Sequence, residues 1–599
     1  MNDTSFRPAA PATAPVAARV RARLGDFTTG PRVLTIAALA IVVGSAAVGC
    51  AWVLLRLIAL ATSIAYFGRV TVQQLAPGAS PLGAWSVLVP IAGGIIVGLL
   101  ARFGSEKIRG HGIPEAMEAI LIGRSRMEAR VAILKPLASA IAIGTGGPFG
   151  AEGPIIMSGG AIGSLLAQAL PVTAAERKTL LVAGAAAGMA AVFNTPMAAL
   201  LLAVELLLFE WKPRSVIPVA VAVAVAALER PLLIGSGALF PFSFIPGLTG
   251  ADAGGWVAIG LAMGLGSGLL TAMCYAAEDG FAHLPVHWMW WPAIGGLVVG
   301  LGGLVSPAAL GVGYLNIGAM LDGTLAGHAA LLLLVVKAVI WSIALGSGTS
   351  GGVLAPLLIM GGAAGALFGS VVPGASVPFC ALLGMASMMG GTMRAPLTAT
   401  IFALELTHDV SALLPVLVAC TVSFATTVLL LKRSILTEKV ARRGHHLSRE
   451  YSVDPFALAR VGAVMVPNVD TLPATMPVAD ALTLATTGAW HHKSYPVIEQ
   501  TGALAGLVSR ADILRWQRET EASGRTLRDM VSGRDTMTAA PDEMVSDVMD
   551  RMAEGDIGRV PVVEGGKLVG LLSRKDLFKV RATLGLAERE REAFIGRRQ

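Results

Sequence analysis

The stretch GTGGPFGAEGPIIMSGGAIGSLL, Gly144 to Leu166, returns as GSGTSGGVLAPLLIMGGAAGALF, Gly346 to Phe368, at a constant offset of 346 − 144 = 202 residues. Gly144, Gly146, Pro154 and Gly159-Gly160-Ala161 meet Gly346, Gly348, Pro356 and Gly361-Gly362-Ala363. Each copy reads as a glycine-rich loop opening into a short apolar helix, and both stand among long apolar runs. Duplicated broken helices in corresponding halves point to a membrane protein with its substrate site near the midplane. The expected fold is an all-α polytopic membrane domain of inverted repeats and broken helices, followed by a smaller α/β tail.

Composition agrees. Charged residues make up 14% of the chain and apolar residues 54%, against about a quarter charged in soluble domains. Apolar runs at 34–64, 83–102, 214–228, 256–275, 328–345 and 411–431 approach or exceed the ~20 residues that cross a bilayer. Those at 155–170, 178–192 and 353–372 are short or glycine-rich and read as partial helices buried among neighbours. Gly159-Gly160 and Gly361-Gly362 suit close helix packing. The segment before the first run holds Arg7, Arg19, Arg21, Arg23 and Arg32, and Lys432, Arg433, Lys439, Arg442 and Arg443 follow the last. These flanks place both termini in the cytoplasm and make the number of crossings even. They also account for most of the net charge of +7, without the clustered basic and aromatic residues of a nucleic-acid surface. Cys50, Cys274, Cys380 and Cys420 stand singly in apolar segments and read as small buried hydrophobes.

Hydropathy collapses after Leu431, and a second repeat follows. Tyr495-Pro-Val-Ile-Glu-Gln-Thr-Gly-Ala-Leu-Ala-Gly-Leu-Val-Ser-Arg-Ala-Asp512 matches Val560-Pro-Val-Val-Glu-Gly-Gly-Lys-Leu-Val-Gly-Leu-Leu-Ser-Arg-Lys-Asp576. Each copy predicts two short strands around a turn and then a helix that Ser509 or Ser573 can cap. Amphipathic helices are expected before them at 479–487 and 543–554. This frame resembles the CBS domain, present twice over roughly 465–580. The resemblance implies adenine-nucleotide binding between the copies, with Asp512 and Asp576 on the ribose. The competing reading is that both carboxylates cap or solvate a helix start.

Four membrane segments carry the candidate chemistry. Three are Gly110-His111-Gly112-Ile113-Pro114-Glu115, Gly150-Ala151-Glu152-Gly153-Pro154 and Gly351-Gly352-Val353-Leu354-Ala355-Pro356. The fourth is a pair, Asn194-Thr195-Pro196 running to Glu205 and Arg394-Ala395-Pro396 running to Glu405, with equal spacings of 205 − 196 and 405 − 396. The first three are loops ending in proline, which suits a first helical turn. A helix start presents free N–H groups and a partial positive end, so several converging starts form an anion cradle without a fixed cation. Glycine lets the backbone approach the ion, and weak binding lets it leave. An acid inside such a loop, Glu152, is a competitor for the anion and hence a gate, able also to carry a proton. Alternatively it is a structural carboxylate bound to its loop.

These motifs resemble the CLC family of chloride channels and chloride/proton exchangers, over about residues 35–580. The resemblance implies a homodimer with one anion pathway per subunit. By motif, Glu152 takes the gating glutamate's place. The amides of Val353 and Leu354 take the central anion site, those of Ala151 and Gly153 lie near an outer site, and His111, Gly112 and Ile113 supply the first loop. His111 stands where the family has serine, its ring either donating to the anion or turned away. The usual tyrosine after the last span falls at Leu436. The exchangers' inner glutamate falls at Leu206, which cannot carry a proton, so the reading leans to a channel with a proton-coupled antiporter as the alternative. Glu205 and Glu405 read as structural.

The expected domains are a cytoplasmic segment at 1–32, the membrane domain at 33–435 with halves at about 35–245 and 255–435, a linker at 436–464, CBS domains at 465–520 and 530–582, and a tail at 583–599. The expected setting is a bacterial inner membrane. The expected partners are chloride or another small anion, protons in the antiporter reading, lipid and a second copy. No metal site and no required cofactor are expected, apart from the nucleotide the CBS resemblance implies. A divalent-cation transporter would need clustered carboxylates, and a nucleotide-sensing receptor with a mere anchor would not need broken helices. No nucleophile–base set suggests an enzyme.

Overall fold

The computed structural model describes residues 29–244, 249–444, 456, 459–487, 490–516 and 524–578. Arg7, Arg19, Arg21 and Arg23, part of the expected linker, the end of the second expected CBS domain and the 583–599 tail lie outside these residues. The chain forms two compact units, one within Phe27–Arg449 and the other within Glu450–Gln599.

The first half of the larger unit contains α1 (Arg32–Phe67), α2 (Leu88–Phe103), α3 (Ile113–Leu121), α4 (Ala129–Gly144), α5 (Glu152–Gln168), α6 (Ala174–Phe193), α7 (Pro196–Leu202) with a π-helical turn at Ala203–Leu208, and α8 (Pro213–Leu233). The second half repeats the order: α9 (Gly250–Ala282), α10 (Trp291–Val305), α11 (Tyr314–Leu321), α12 (Gly327–Gly346), α13 (Leu354–Val371), α14 (Val377–Met393), α15 (Pro396–Thr407) and α16 (Leu413–Leu430). A last helix, α17 (Ile435–Arg442), runs through the point where the sequence suggests a linker. Among the described residues eight helices are long and apolar enough to cross a membrane. The six long runs become α1, α2, α8, α9, α12 and α16, and the three glycine-rich ones become α5, α6 and α13. Helix α10 lies outside those runs, and its span is the least apolar of the eight.

The halves are inverted copies. Glu405, at the end of α15, accepts from the N–H groups of Met197 (2.9 Å) and Ala198 (2.8 Å) at the start of α7. Reciprocally, Glu205, just past α7, accepts from Thr398 N–H (2.9 Å) at the start of α15. Each carboxylate caps the partner's orphan donors, which is possible only if α7 and α15 run antiparallel. Glu205 and Glu405 are structural, as the sequence suggests.

Within each half, glycine sets the packing. A Cβ on Gly159 of α5 would overlap the carbonyl of Gly184 on α6, and one on Gly184 the carbonyl of Gly159. Gly361 of α13 and Gly384 of α14 stand in the same mutual relation. In lipid, close backbone contact replaces the hydrophobic drive that water supplies elsewhere.

In the smaller unit, β1 (Leu472–Pro473) runs parallel to β2 (Ser494–Ile498), which pairs antiparallel with β3 (Leu504–Ser509). A second hairpin joins β4 (Arg559–Glu564) to β5 (Lys567–Ser573). Helices α18 (Val478–Thr486) and α20 (Val545–Glu554) precede the hairpins, and α19 (Arg510–Trp516) follows the first. The repeats meet at their turns, where Leu504 N–H donates to Gly566 (3.3 Å) and Leu568 N–H to Gly502 (3.2 Å).

Gly361→Ala is expected to destabilise the membrane unit by about 1–3 kcal/mol through overpacking. Gly318→Ala, where a Cβ meets nothing within 4 Å, should be neutral or stabilise α11 by up to ~1 kcal/mol. Thermal unfolding in detergent compares the two, and equal melting temperatures would contradict the packing argument.

Candidate functional site

Two loops from opposite halves meet at the centre of the larger unit. Gly150 and Gly352, equivalent positions by the offset 352 − 150 = 202, form an isolated antiparallel bridge. Gly352 N–H donates to the Gly150 carbonyl at 2.9 Å, and Gly150 N–H returns the bond at 3.3 Å. A residue and its own copy can pair reciprocally only across a two-fold axis, so the pseudo-symmetry axis passes through this bridge. The starts of α5 and α13 therefore face each other across it.

Glu152 occupies the space between. One carboxylate oxygen accepts from Leu354 N–H and, at 3.4 Å, from Ala355 N–H. The other oxygen has no partner among the described residues. Side chains on Gly150 or Gly352 would overlap this carboxylate. The side chain is wholly buried. Leu354 is Glu152's own copy (354 − 152 = 202), so one half supplies the acid and the other the amide that holds it.

The third loop joins the same place. A Cβ on Gly112 would lie 2.5 Å from the Gly153 carbonyl, and one on Gly153 would overlap the His111 carbonyl. Gly112 has φ +93° and Gly110 φ +88°, which glycine adopts without strain. The Gly112 amide is engaged by Glu115 at 2.8 Å. Ile113 is fully buried at the first position of α3. Val353 precedes α13 and is buried, with its carbonyl accepting from Leu357 N–H. His111 is 3% exposed, and its Nδ1 has no partner among the described residues. It lines a narrow gap with Tyr275, Glu278, Ile435 and Lys439.

Two cavities flank this centre. A bowl of about 730 Å³ holds Arg109, Glu115, Glu118, Glu278, Lys439 and Arg443 at the Val131 end of α4. Its charges are largely paired: Arg443 with Glu115 at 3.1 Å and with Glu118, Lys439 with Glu278 at 2.8 Å. A second cavity of about 240 Å³ lies at the Ile143 end of α4, lined by Ala151 and residues 310–316. The twelve residue steps from Val131 to Ile143 span roughly 18 Å of helix. The two openings thus lie at opposite ends of α4, and Ala151, next to Glu152, lines the second.

Sequence reasoning missed several groups here. Ala355 adds a second amide beside Leu354. Lys135 and Lys337, another pair 337 − 135 = 202 apart, are both fully buried. Lys135 donates to the carbonyls of Ile108 (2.8 Å) and Gly110 (2.7 Å), and Lys337 to those of Ala309 (3.1 Å) and Gly311 (3.2 Å). The offset, applied beyond the glycine motif, finds them in the sequence. Tyr275 gives its hydroxyl to the Ile435 carbonyl, so a phenol lies beside Leu436 although it comes from α9. No local pattern announces that contact.

Asp512 and Asp576 each lie at the start of a post-hairpin helix in the smaller unit. Asp512 accepts from Ser509 N–H (3.0 Å) and hydroxyl (2.5 Å), from Arg515 (2.7 Å) and from Arg534 (3.1 Å). Asp576, 4% exposed, accepts from Ser573 in the same way. Ser509 Oγ in turn accepts from Asp512 N–H at 3.2 Å, a reciprocal capping box. Both carboxylates are held as caps here. Arg534 also lies over the Trp516 ring, 5.0 Å from its centroid.

This arrangement defines a class: a duplicated membrane transporter whose helix starts converge on a buried centre. The voltage-gated chloride channel family model matches residues 92–428, and the CBS domain model matches 461–519 and 527–583. The chain belongs to this family of chloride-transporting membrane proteins, the CLC family, and carries a tandem CBS pair. A ClcB-like chloride channel protein of Ralstonia nicotianae is 30% identical over 365 residues, covering 59% of this chain and 85% of that relative. The voltage-gated ClC-type chloride channel ClcB of Escherichia coli O81 is 31% identical over 383 residues, covering 62% and 90%. In fold the chain matches a slow cyanobacterial Cl⁻/H⁺ antiporter with TM-score 0.60 and 21% identity, over 69% of this chain and 99% of that one. It matches a CLC-type fluoride/proton antiporter with TM-score 0.55 and 21% identity, over 66% and 96%.

Partial burial pushes the Asp512 carboxyl up, but the Ser509 hydroxyl and amide and the Arg534 guanidinium outweigh it and hold the group below the usual range. Its stabilising effect is full above the unfolded value of about 3.9 and is lost as pH falls through the lowered folded value. Asp512→Asn should lower the melting temperature of the tail at neutral pH, with the gap to wild type closing in acid. Trp516 fluorescence against temperature checks this, and a gap that widens in acid would refute the sign.

Proposed function

We propose that the chain conducts chloride or a similar small anion between the bowl and the outer cavity, with Glu152 as the gate. The observation that carries this is the Glu152 carboxylate seated on the Leu354 and Ala355 amides. A carboxylate bound by helix-start N–H groups is a tethered anion, and it marks where a free one binds. An arriving anion displaces the charged carboxylate, and protonation removes its claim on the amides. The central site is then the Val353, Leu354 and Ala355 backbone. Ala151 and Gly153 lie on its outer side, and the loop of His111, Gly112 and Ile113 leads in from the bowl.

The uncoupled channel is the favoured form. Leu206 is fully buried in the apolar core, and no acid stands at that place to pass a proton inward. The antiporter reading is supported by Glu152 itself and by the proton-coupled transport of the two solved structural relatives. In either form the protein is a homodimer in a bacterial inner membrane, with both termini cytoplasmic. The CBS pair regulates the pore, with adenine nucleotide as the candidate ligand.

Glu152→Gln is expected to raise anion flux in reconstituted vesicles and flatten its pH dependence. A variant as pH-sensitive as wild type would contradict the gate. Reversal potentials measured at two proton gradients separate the forms: no shift supports the channel, and a shift with pH supports the antiporter. His111→Ser should alter the anion preference, whereas an unchanged selectivity series means the ring does not face the ion.

A further inference from the structure

The bowl and the outer cavity end on matching loops. Gly110-His111-Gly112, with Glu115 three residues on, corresponds to Gly311-Val312-Gly313, with Asn316 three residues on (311 − 110 and 316 − 115 are both 201). Gly311 and Gly313 repeat the positive φ of Gly110 and Gly112, at +64° and +79°. Behind each loop lies a buried lysine, Lys135 or Lys337, that draws loop carbonyls toward itself. In a trans peptide the N–H points opposite to the C=O. Each lysine therefore turns the next amide, His111 or Val312, away from itself.

The copies differ in one group. In the first, the Glu115 carboxylate fills the cradle, taking the Gly112 N–H at 2.8 Å within electrostatic reach of Lys135. In the second, Asn316 replaces it and donates its side-chain N–H to the Ala308 carbonyl at 2.7 Å. A Cβ on Gly313 would lie 3.1 Å from Asn316 Nδ2 and 3.2 Å from Lys337 Nζ. Val312 and Gly313 N–H have no partner among the described residues. Lys337, 0% exposed, has two carbonyl acceptors for its three donors and no acidic partner among the described residues. The cavity of about 240 Å³ opens onto this donor-rich loop. A lysine without counter-charge at membrane depth marks an ion path.

We propose that the 311–316 loop is a second anion-binding station, separate from the Glu152 cradle. A small monovalent anion there takes the place that the Glu115 carboxylate holds in the first copy. The Val312 and Gly313 amides and the side-chain amide of Asn316 surround it, and Lys337 supplies the charge behind the loop. The station rests on the anion-conducting reading and gives the outer opening a docking point from which an ion challenges Glu152.

The test uses the full-length protein in planar bilayers, with chloride added to one face at a time, and bromide anomalous diffraction on the same protein. Lys337→Met removes the ammonium. Asn316→Glu supplies the carboxylate of the first copy and should plug the cradle. Each is expected to raise the half-saturating chloride about ten-fold from the face bearing this cavity, the loss of one charge-assisted contact, with no change from the bowl face. Wild-type crystals should show bromide at Val312–Gly313, and Asn316→Glu crystals should not. Wild-type conduction with half-saturation unchanged in both variants and no bromide at the loop would overturn the station alone. Bromide at the loop in a protein that passes no anion would keep the station and overturn the conduction reading.

Discussion

The Gly150–Gly352 bridge is the constraint on which the rest depends. It joins a residue to its own repeat copy by reciprocal backbone hydrogen bonds. That requires a two-fold axis, close approach and no side chains, and glycine on both sides meets all three. Once the loops are paired, α5 and α13 point their starts at a common space. Free N–H groups then converge there, and the partial positive ends of the two helices face a common space. The crossed caps of Glu205 and Glu405 clamp the same axis from α7 and α15.

Duplication builds the scaffold, and departures from it supply the function. Glu152 faces Leu354, its copy, so only one half brings an acid. Glu115 corresponds to Asn316, so the carboxylate that takes the Gly112 amide has no counterpart in the second loop. His111 corresponds to Val312, so an imidazole stands in only one of the two loops. In the proposed reading, these departures supply the gate and distinguish the two cavities.

The tail uses the same device on a smaller scale. Ala503 and Lys567, matched positions in the two hairpins, form an isolated antiparallel bridge, flanked by reciprocal bonds at Leu504 and Leu568. Its two candidate ribose-binding acids are engaged as helix caps. Asp512 in addition holds two arginines, so a nucleotide there would have to compete with Arg515 and Arg534.

The sequence by itself determined the duplicated membrane architecture, the loop-to-helix junctions and the hairpins of the tail. These follow from local chemistry: apolar length, glycine and proline placement, and a repeated pair of short strands around a turn. It also marked Glu152, because an acid within a glycine loop at membrane depth has few structural uses. Tertiary structure alone decided what each group touches. The seat of Glu152 on Leu354 and Ala355 lies 202 and 203 residues away along the chain. The contact of Tyr275 with Ile435 and the different engagements of Glu115 and Asn316 carry no local pattern either. Hydrogen bonds across an inverted repeat depend on where the axis falls, and a one-dimensional pattern records the copies but not the axis between them.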